Sequence, residues 1–342
     1  MKRVFMAATI LLIGVSPATA APGAPAGVVS AASSAGFSGE IAAAHLHGGL
    51  VFAQGFGFAQ RKSRQPATLD TAFHLASMGK MFTGVAAAQL VEHGKLRFGD
   101  RIGKYLPQLP ARLRSITVAQ LLDHTSGLGD FFADPGFEQL RPHLTTLRAY
   151  LPLVEHEHLR FKPGTRWSYS NSGFLLAGLV IEKASHESYY DYLAGRVWKR
   201  AGMTHTGCYR RAHLPSFAAV GYDEGGLPNT ATLAPLGTSA GGCYSSARDM
   251  LAFARALESG RLLDRKLTRE ITTSKVSAPG GGYGYGFGIR GSTIWHNGGA
   301  PGAAGELDIN PKLGLVVITL GNVGPPHVFP VVDAALNGLR VP

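Results

Sequence analysis

Apolar residues in this chain change their spacing twice, and that change limits the possible folds more than any other feature. Residues 39–44 and 50–53 are short apolar runs joined across His47-Gly48-Gly49, the pattern of a β-hairpin. A third strand is expected near 56–60. From Ser77 the spacing becomes helical: Met78, Met81, Phe82, Val85, Ala86, Leu90 and Val91 recur three and four residues apart, and Gly94 sits where a helix C-terminus needs it. Further helices are expected at 118–123, at 172–184, at 189–201 ending on Gly202, and from Ser246, with Asp249 as a weak capping partner, to just before Gly260. Between Tyr283 and Gly288 the period returns to two. Residues 294–296, 307–309 and 315–320 then read as strands between Gly, Asn and Pro turns, and a last helix is expected over 331–339. Strands at both ends with helices between them predict one sheet built from both ends of the chain, with a helical insertion over roughly 95–245 inside a domain of 37–342.

Composition agrees with a folded chain. Of 342 residues, 45% are hydrophobic and only 16% charged, too apolar for disorder, and a chain this long buries its core without a metal or disulfide staple. Its 45 glycines show no three-residue period, which excludes a collagen-like fibre. The first twenty residues read as a signal peptide: Lys2 and Arg3, an apolar run over 4–15, then Ala18-Thr19-Ala20 for cleavage. That run is too short for a permanent membrane span, and Ala21 stands where a lipoprotein needs cysteine. Export as a soluble periplasmic or secreted protein is expected. Residues 21–36, rich in Ala, Gly, Ser and Pro, read as a flexible leader.

The formal charge is +11, and losing Lys2 and Arg3 leaves 31 basic against 22 acidic residues, a net +9. The densest basic clusters, Arg61-Lys62-Ser63-Arg64 and Tyr209-Arg210-Arg211, are short and accompany no nucleic-acid-binding pattern. No nucleic-acid partner is expected; a diffuse positive field suits anionic wall polymers or acidic substrates. Cys208 and Cys243 are the only cysteines. In an oxidising compartment they are able to form one disulfide, but spacing does not decide it.

Three elements carry possible chemistry. In Ser77-Met78-Gly79-Lys80 the lysine lies one helical turn from the serine, so its amine reaches the hydroxyl and, once burial lowers its pKa, serves as a base. Tyr169-Ser170-Asn171 adds a phenol that relays protons and an amide that orients the lysine and a substrate carbonyl. Trp295-His296-Asn297-Gly298-Gly299-Ala300-Pro301-Gly302 ends a strand in small residues, whose exposed N–H groups suit a developing oxyanion, while His296 offers a donor or a pH-dependent charge. Each also has a plain structural reading: a capping serine with a solvated lysine, a packed tyrosine beside an N-cap asparagine, and a glycine-rich turn with a half-buried histidine.

Taken in order, these elements resemble the β-lactamase-related serine hydrolases, the group that includes class C β-lactamases, D-alanyl-D-alanine carboxypeptidases, esterases and D-amino-acid amidases. The likeness covers about 37–339 and includes Phe73-His74-Leu75-Ala76-Ser77-Met78-Gly79-Lys80, Leu121-Leu122-Asp123-His124-Thr125-Ser126-Gly127-Leu128, and Gly241-Gly242-Cys243-Tyr244-Ser245-Ser246-Ala247-Arg248-Asp249. It implies an α+β (α/β sandwich) fold, an antiparallel sheet flanked by helices, with the site between sheet and insertion. It implies that Ser77 forms an acyl-enzyme, that Lys80 and Tyr169 share the proton traffic, and that Asn171, His296, Gly298 and Gly299 bind substrate, with the N–H groups of Ser77 and Gly299 as the oxyanion hole. No cofactor or metal is implied. The substrate is expected to be a small ester or amide or a short D-amino-acid peptide, peptidoglycan fragments included. β-Lactamases usually carry Lys-Thr-Gly where this chain has His296-Asn297-Gly298, which makes efficient β-lactam hydrolysis the lesser expectation. A non-catalytic wall-binding protein that keeps the fold is the competing reading.

Other combinations carry less. Asp123, His124 and Ser126 are too close in sequence to converge as a triad and read as a helix end near Gly127. His45 with His47, and Glu155-His156-Glu157-His158, lack the HExxH pattern and an evident third metal ligand.

Overall fold

The structure, a computed structural model, describes residues 22–229 and 232–341; the expected signal peptide, 1–20, lies outside them. Among the described residues eight strands form one antiparallel sheet. In chain order they are β1 Gly39–His45, β2 Leu50–Phe56, β3 Val276–Ala278, β4 Gly281–Tyr283, β5 Gly288–Arg290, β6 Thr293–Ala300, β7 Ala303–Asn310 and β8 Leu315–Gly321. Their spatial order is β2-β1-β8-β7-β6-β5-β4-β3. The two ends of the chain therefore join at the β1/β8 ladder, where Gly39 faces Gly321 and His45 faces Leu315. The expected 56–60 strand appears as Phe58–Gln60, paired with Gln65–Pro66 outside the main sheet.

Alternation along the strands sends apolar side chains to both faces. Val316, Ile318 and Leu320 of β8 join a large core with Met78, Met81, Phe82 and Val85, whereas Val317 joins a second core with Ile41, Ala43 and Phe52. The larger core is built on α2 (Lys80–Glu92), α3 (Asn171–Ser185) and α4 (Ala247–Glu258). Every residue of α2 from Lys80 to Leu90 is buried, so this helix runs through the interior. The second core lies under α1 (Ala26–Ala35) and α5 (Pro325–Leu339).

Several expectations change. Much of the supposed flexible leader is α1: Val28 and Ala32 are buried against α5, and Gly36 closes the helix with φ 63°. Its Ala-rich composition reflects helix propensity and a small-residue packing face. The alternating run 283–288 is strand only at its ends, Tyr283 closing β4 and Gly288 opening β5; 284–287 is the turn between them, where Gly286, at φ 87°, bends the chain and sends Tyr285 and Phe287 into the core. The last helix begins at Pro325, not 331, because Pro325 and Pro326 occupy first-turn positions that need no intrahelical N–H donor. Residues 189–201 are helical as expected, with a π-helical stretch at Leu193–Trp198. Cys208 and Cys243 form a disulfide.

Docking of α1 has a measurable consequence. Val28→Ser removes a fully buried apolar side chain and is expected to destabilise the protein by about 1.5–3 kcal/mol in urea unfolding; an unchanged midpoint would mean that α1 contributes nothing.

Candidate active site

Three segments meet beside β6, at the end of α2 that Lys80 begins. Ala76–Gly79 is a single 3₁₀ turn ahead of α2, with Ser77 half-buried and Lys80 fully buried. Ala76 has φ 44°, an uncommon left-handed conformation for a residue with a side chain. The turn is held from both sides: the Gly242 N–H donates to the Ala76 carbonyl at 3.0 Å, and Gly298 of β6 lies flat against it. A Cβ at Gly298 would collide with the Leu75 carbonyl oxygen and lie 2.9 Å from the Ser77 nitrogen, so only glycine allows the strand this near.

The second segment is the start of α3. Ser170, not Asn171, is the N-cap; its Oγ accepts from the Gly173 N–H at 2.8 Å. With the cap supplied by Ser170, the Asn171 side chain turns to Lys80. Lys80 Nζ lies 2.7 Å from Asn171 Oδ1, 2.6 Å from the Ala240 carbonyl oxygen and 3.2 Å from Ser77 Oγ. The Tyr169 hydroxyl donates to Ser77 Oγ at 2.6 Å. Burial pulls the Lys80 ammonium down to about 7, with the Asp130 carboxylate opposing. Burial also pushes the Tyr169 phenol above its ordinary value, a shift that the Ser77 hydrogen bond partly offsets.

Asp130 has no place in the sequence motifs, yet its Oδ2 accepts from Asn171 Nδ2 at 2.9 Å. A carboxylate only accepts, so this bond fixes the amide with its NH₂ toward Asp130 and its oxygen toward Lys80. Locally Asp130 is a cap, its Oδ1 accepting from the Phe132 N–H at 3.1 Å. Nothing in the surrounding sequence indicates that it meets a residue 41 positions on.

His296 departs from the expected pH-dependent donor. It is buried, its Nδ1 bonds the Asn297 carbonyl at 2.6 Å, and its Nε2 lies 2.8 Å from the Tyr283 hydroxyl. A carbonyl only accepts, so Nδ1 carries the proton and Nε2 accepts from the phenol. Burial, then the Lys80 charge, push the imidazolium down to about 3, the Asn297 bond opposing. His296 thus braces β6 from behind as a neutral ring.

Asp123, His124 and Ser126 do not converge. Asp123 accepts from the Thr125 N–H and hydroxyl, and Ser126 Oγ accepts from the Leu128 N–H. The buried His124 ring packs 4.4 Å from the Tyr169 ring and 4.7 Å from that of Tyr283, which locks the phenol in place. Glu157 turns inward, accepting from the Gly129 N–H at 2.6 Å and bonding the Ser172 hydroxyl. Among the described residues no three His, Cys, Asp or Glu side chains gather as a metal site.

A cavity of about 500 Å³ opens in front of Ser77. Asp130, Phe132, Tyr150 and Asn171 contribute to its wall, as do His74, Arg211 and the 236–242 segment, and Gly299 through Pro301.

A family model described as Beta-lactamase matches residues 27–341. The putative penicillin-binding protein PbpX of Bacillus subtilis (strain 168) is 33% identical over 270 residues, a match covering 78% of this chain and 66% of the relative. The chain thus spans just under two thirds of that relative's length. The crystal structure of a penicillin-binding protein from Bacillus halodurans superposes with a TM-score of 0.84 at 32% identity, covering 91% of this chain and 99% of that one. A D-stereospecific amidohydrolase from Streptomyces sp. superposes with a TM-score of 0.75 at 26% identity, covering 92% and 98%.

The electrostatics of Lys80 are directly measurable. In an NMR titration with ¹³C-labelled lysine, Lys80 is expected to titrate near 7, and Asp130→Asn to move the midpoint lower, because the carboxylate that favours the ammonium is gone. A midpoint at the ordinary lysine value, or an upward move in the variant, contradicts this account.

Proposed function

This chain belongs to the beta-lactamase family, and on that footing we propose that it is an exported serine hydrolase that cleaves an ester, an amide or a D-amino-acid peptide through an acyl-enzyme on Ser77. The observation that carries the reading is the contact of the half-buried Ser77 Oγ with Lys80 Nζ at 3.2 Å and with the Tyr169 hydroxyl at 2.6 Å.

Proton roles follow from what each partner accepts. The carbonyl oxygens of Asn171 and Ala240 take two Lys80 N–H bonds, which directs the third tetrahedral position at Ser77. With its pKa near 7, a large share of Lys80 presents a lone pair there at neutral pH. Lys80 then takes the serine proton as Oγ attacks the carbonyl carbon. Tyr169, kept protonated by burial, is the donor that reaches the leaving group, and it recovers a proton from Lys80 through the Ser77 site. The backbone N–H groups of Ser77 and Gly299 receive the oxyanion. Water repeats the sequence on the acyl-enzyme.

Substrates of the D-alanyl peptidase or esterase type fit best. The relatives' names, penicillin-binding protein and D-stereospecific amidohydrolase, support acyl transfer at an amide of D configuration. Efficient β-lactamase action is the weaker alternative, because a sealed, neutral His296 stands where those enzymes usually present a lysine. Export rests on the features of residues 1–20, and the Cys208–Cys243 disulfide suits an oxidising compartment. Among the described residues no helix is long and apolar enough to cross a membrane.

Mass spectrometry after a fluorophosphonate or penicillin probe is expected to find the adduct on Ser77, and Ser77→Ala to lose about 10⁴-fold or more in turnover. Parallel assays with nitrocefin, a D-alanyl-D-alanine peptide and a short-chain p-nitrophenyl ester identify the substrate class, with rates rising as pH passes Lys80's value of about 7. An adduct elsewhere, or ligand binding with no hydrolysis of any of the three, favours the wall-binding reading instead.

A further inference from the structure

We propose that the cavity in front of Ser77 is an acyl pocket for an aromatic side chain: its ring seats against Phe132 and Phe137, and the Tyr150 hydroxyl pairs with a polar substituent on that ring. The proposal deepens the hydrolase reading and rests on Ser77 as the point of attachment.

One side of the cavity is built of rings. The buried Phe131 anchors three neighbours, its centroid lying 4.5 Å from that of Phe132, 6.2 Å from Phe137 and 5.0 Å from Tyr150. Phe132 and Phe137 also meet edge to face at 4.9 Å. Phe132, Phe137 and Tyr150 border the cavity, with Leu236 beside them. Among the described residues four large apolar side chains are exposed, and of these only Phe132, at 55%, is aromatic and borders the cavity. Its position is fixed by Asp130, whose Oδ1 accepts from the Phe132 N–H at 3.1 Å while its Oδ2 accepts from the Asn171 amide at 2.9 Å. An uncovered ring face is therefore held two residues from the carboxylate that orients the amide at Lys80, where a second ring stacks on it.

Tyr150 points to a ligand independently. It is 2% exposed and borders the cavity, yet its hydroxyl makes no hydrogen bond among the described residues. Buried hydroxyls ordinarily have a partner, and a bound group with a donor or acceptor supplies one here. Burial pushes the Tyr150 phenol above its ordinary value, so it meets that group as a neutral O–H. The charged side chains of the wall are turned to protein partners: Asp130 as above, Glu138 to Arg141 at 2.9 Å, and Arg211 to the Ala234 and Asn229 carbonyls at 2.5 and 3.4 Å.

The wall also tells which half of the substrate it serves. Ser77 and Gly299, whose N–H groups receive the oxyanion, belong to it, whereas Tyr169, the donor to the leaving group, does not. The leaving group departs on the Tyr169 side, so the cavity holds the half that stays on Ser77, and its volume of about 500 Å³ admits a ring on a short linker.

Binding to the Ser77→Ala protein, followed by ligand-observed NMR, tests this without turnover. Methyl 3-phenylpropanoate is expected to bind roughly tenfold or more tightly than methyl propanoate, and about threefold more tightly than methyl hexanoate. Phe132→Ala in that background, at a position outside the buried core, is expected to cut the ring's advantage over methyl propanoate about fivefold. A 4-hydroxyl on the ring is expected to add about threefold, a gain that Tyr150→Phe abolishes. In the unsubstituted enzyme, kcat/KM for methyl 3-phenylpropanoate is expected to exceed that for its isomer benzyl propanoate about tenfold. Equal binding of ring and chain, no binding of any ester, a ring preference untouched by Phe132→Ala, a hydroxyl gain that survives Tyr150→Phe, or faster turnover of benzyl propanoate overturns the pocket. An absent adduct on Ser77 sinks the hydrolase reading by a separate measurement.

Discussion

A lysine amine with no exposed surface is the constraint around which this molecule is arranged. Bringing the Lys80 pKa from 10.5 to about 7 corresponds to roughly 5 kcal/mol of bias against the ammonium. The fold tolerates the group because two carbonyl oxygens and one hydroxyl surround it, at distances that satisfy the amine in either protonation state. Lys80 is buried because α2 is buried on all sides, and α2 is buried because the sheet packs on one side of it and α3 on another. The chemistry of the site is thus a by-product of where one helix starts.

Close approach does the rest. The Ser77 turn is pressed between the 240–242 loop and β6, and both surfaces reach it through glycine. Behind β6, His296 and Tyr283 form a sealed hydrogen-bonded pair, and His124 carries the packing through to Tyr169. Side chains that would read as catalytic in a list of residue types are here supports for neighbours. Conversely Asp130, a capping residue by its local pattern, orients the amide that meets Lys80.

Much of this was legible beforehand, unevenly. Helical spacing after Ser77, the strands of the C-terminal third and the hairpin at 39–53 mark elements correctly because burial of one face imposes a period on the sequence. The same reasoning fails at 284–287, where glycine and aromatic residues alternate for the sake of a turn between two strands, and at 26–35, where a helix of small residues has the composition of a linker. Proximity of Cys208 to Cys243, and of Asp130 to Asn171, depends on chain crossings that no local pattern encodes.

By itself the sequence determined the periods of the elements, the ordered set Ser77/Lys80, Tyr169/Asn171 and His296/Gly298, and the glycines that permit close packing, because backbone geometry and side-chain chemistry are local properties. Only the tertiary structure decided which of those side chains face the cavity and which face the core, that Lys80 is dry, that His296 is neutral and enclosed, and that Arg211 stands at the cavity wall. Burial and electrostatic environment are set by every element that packs around a group, and those elements come from all parts of the chain.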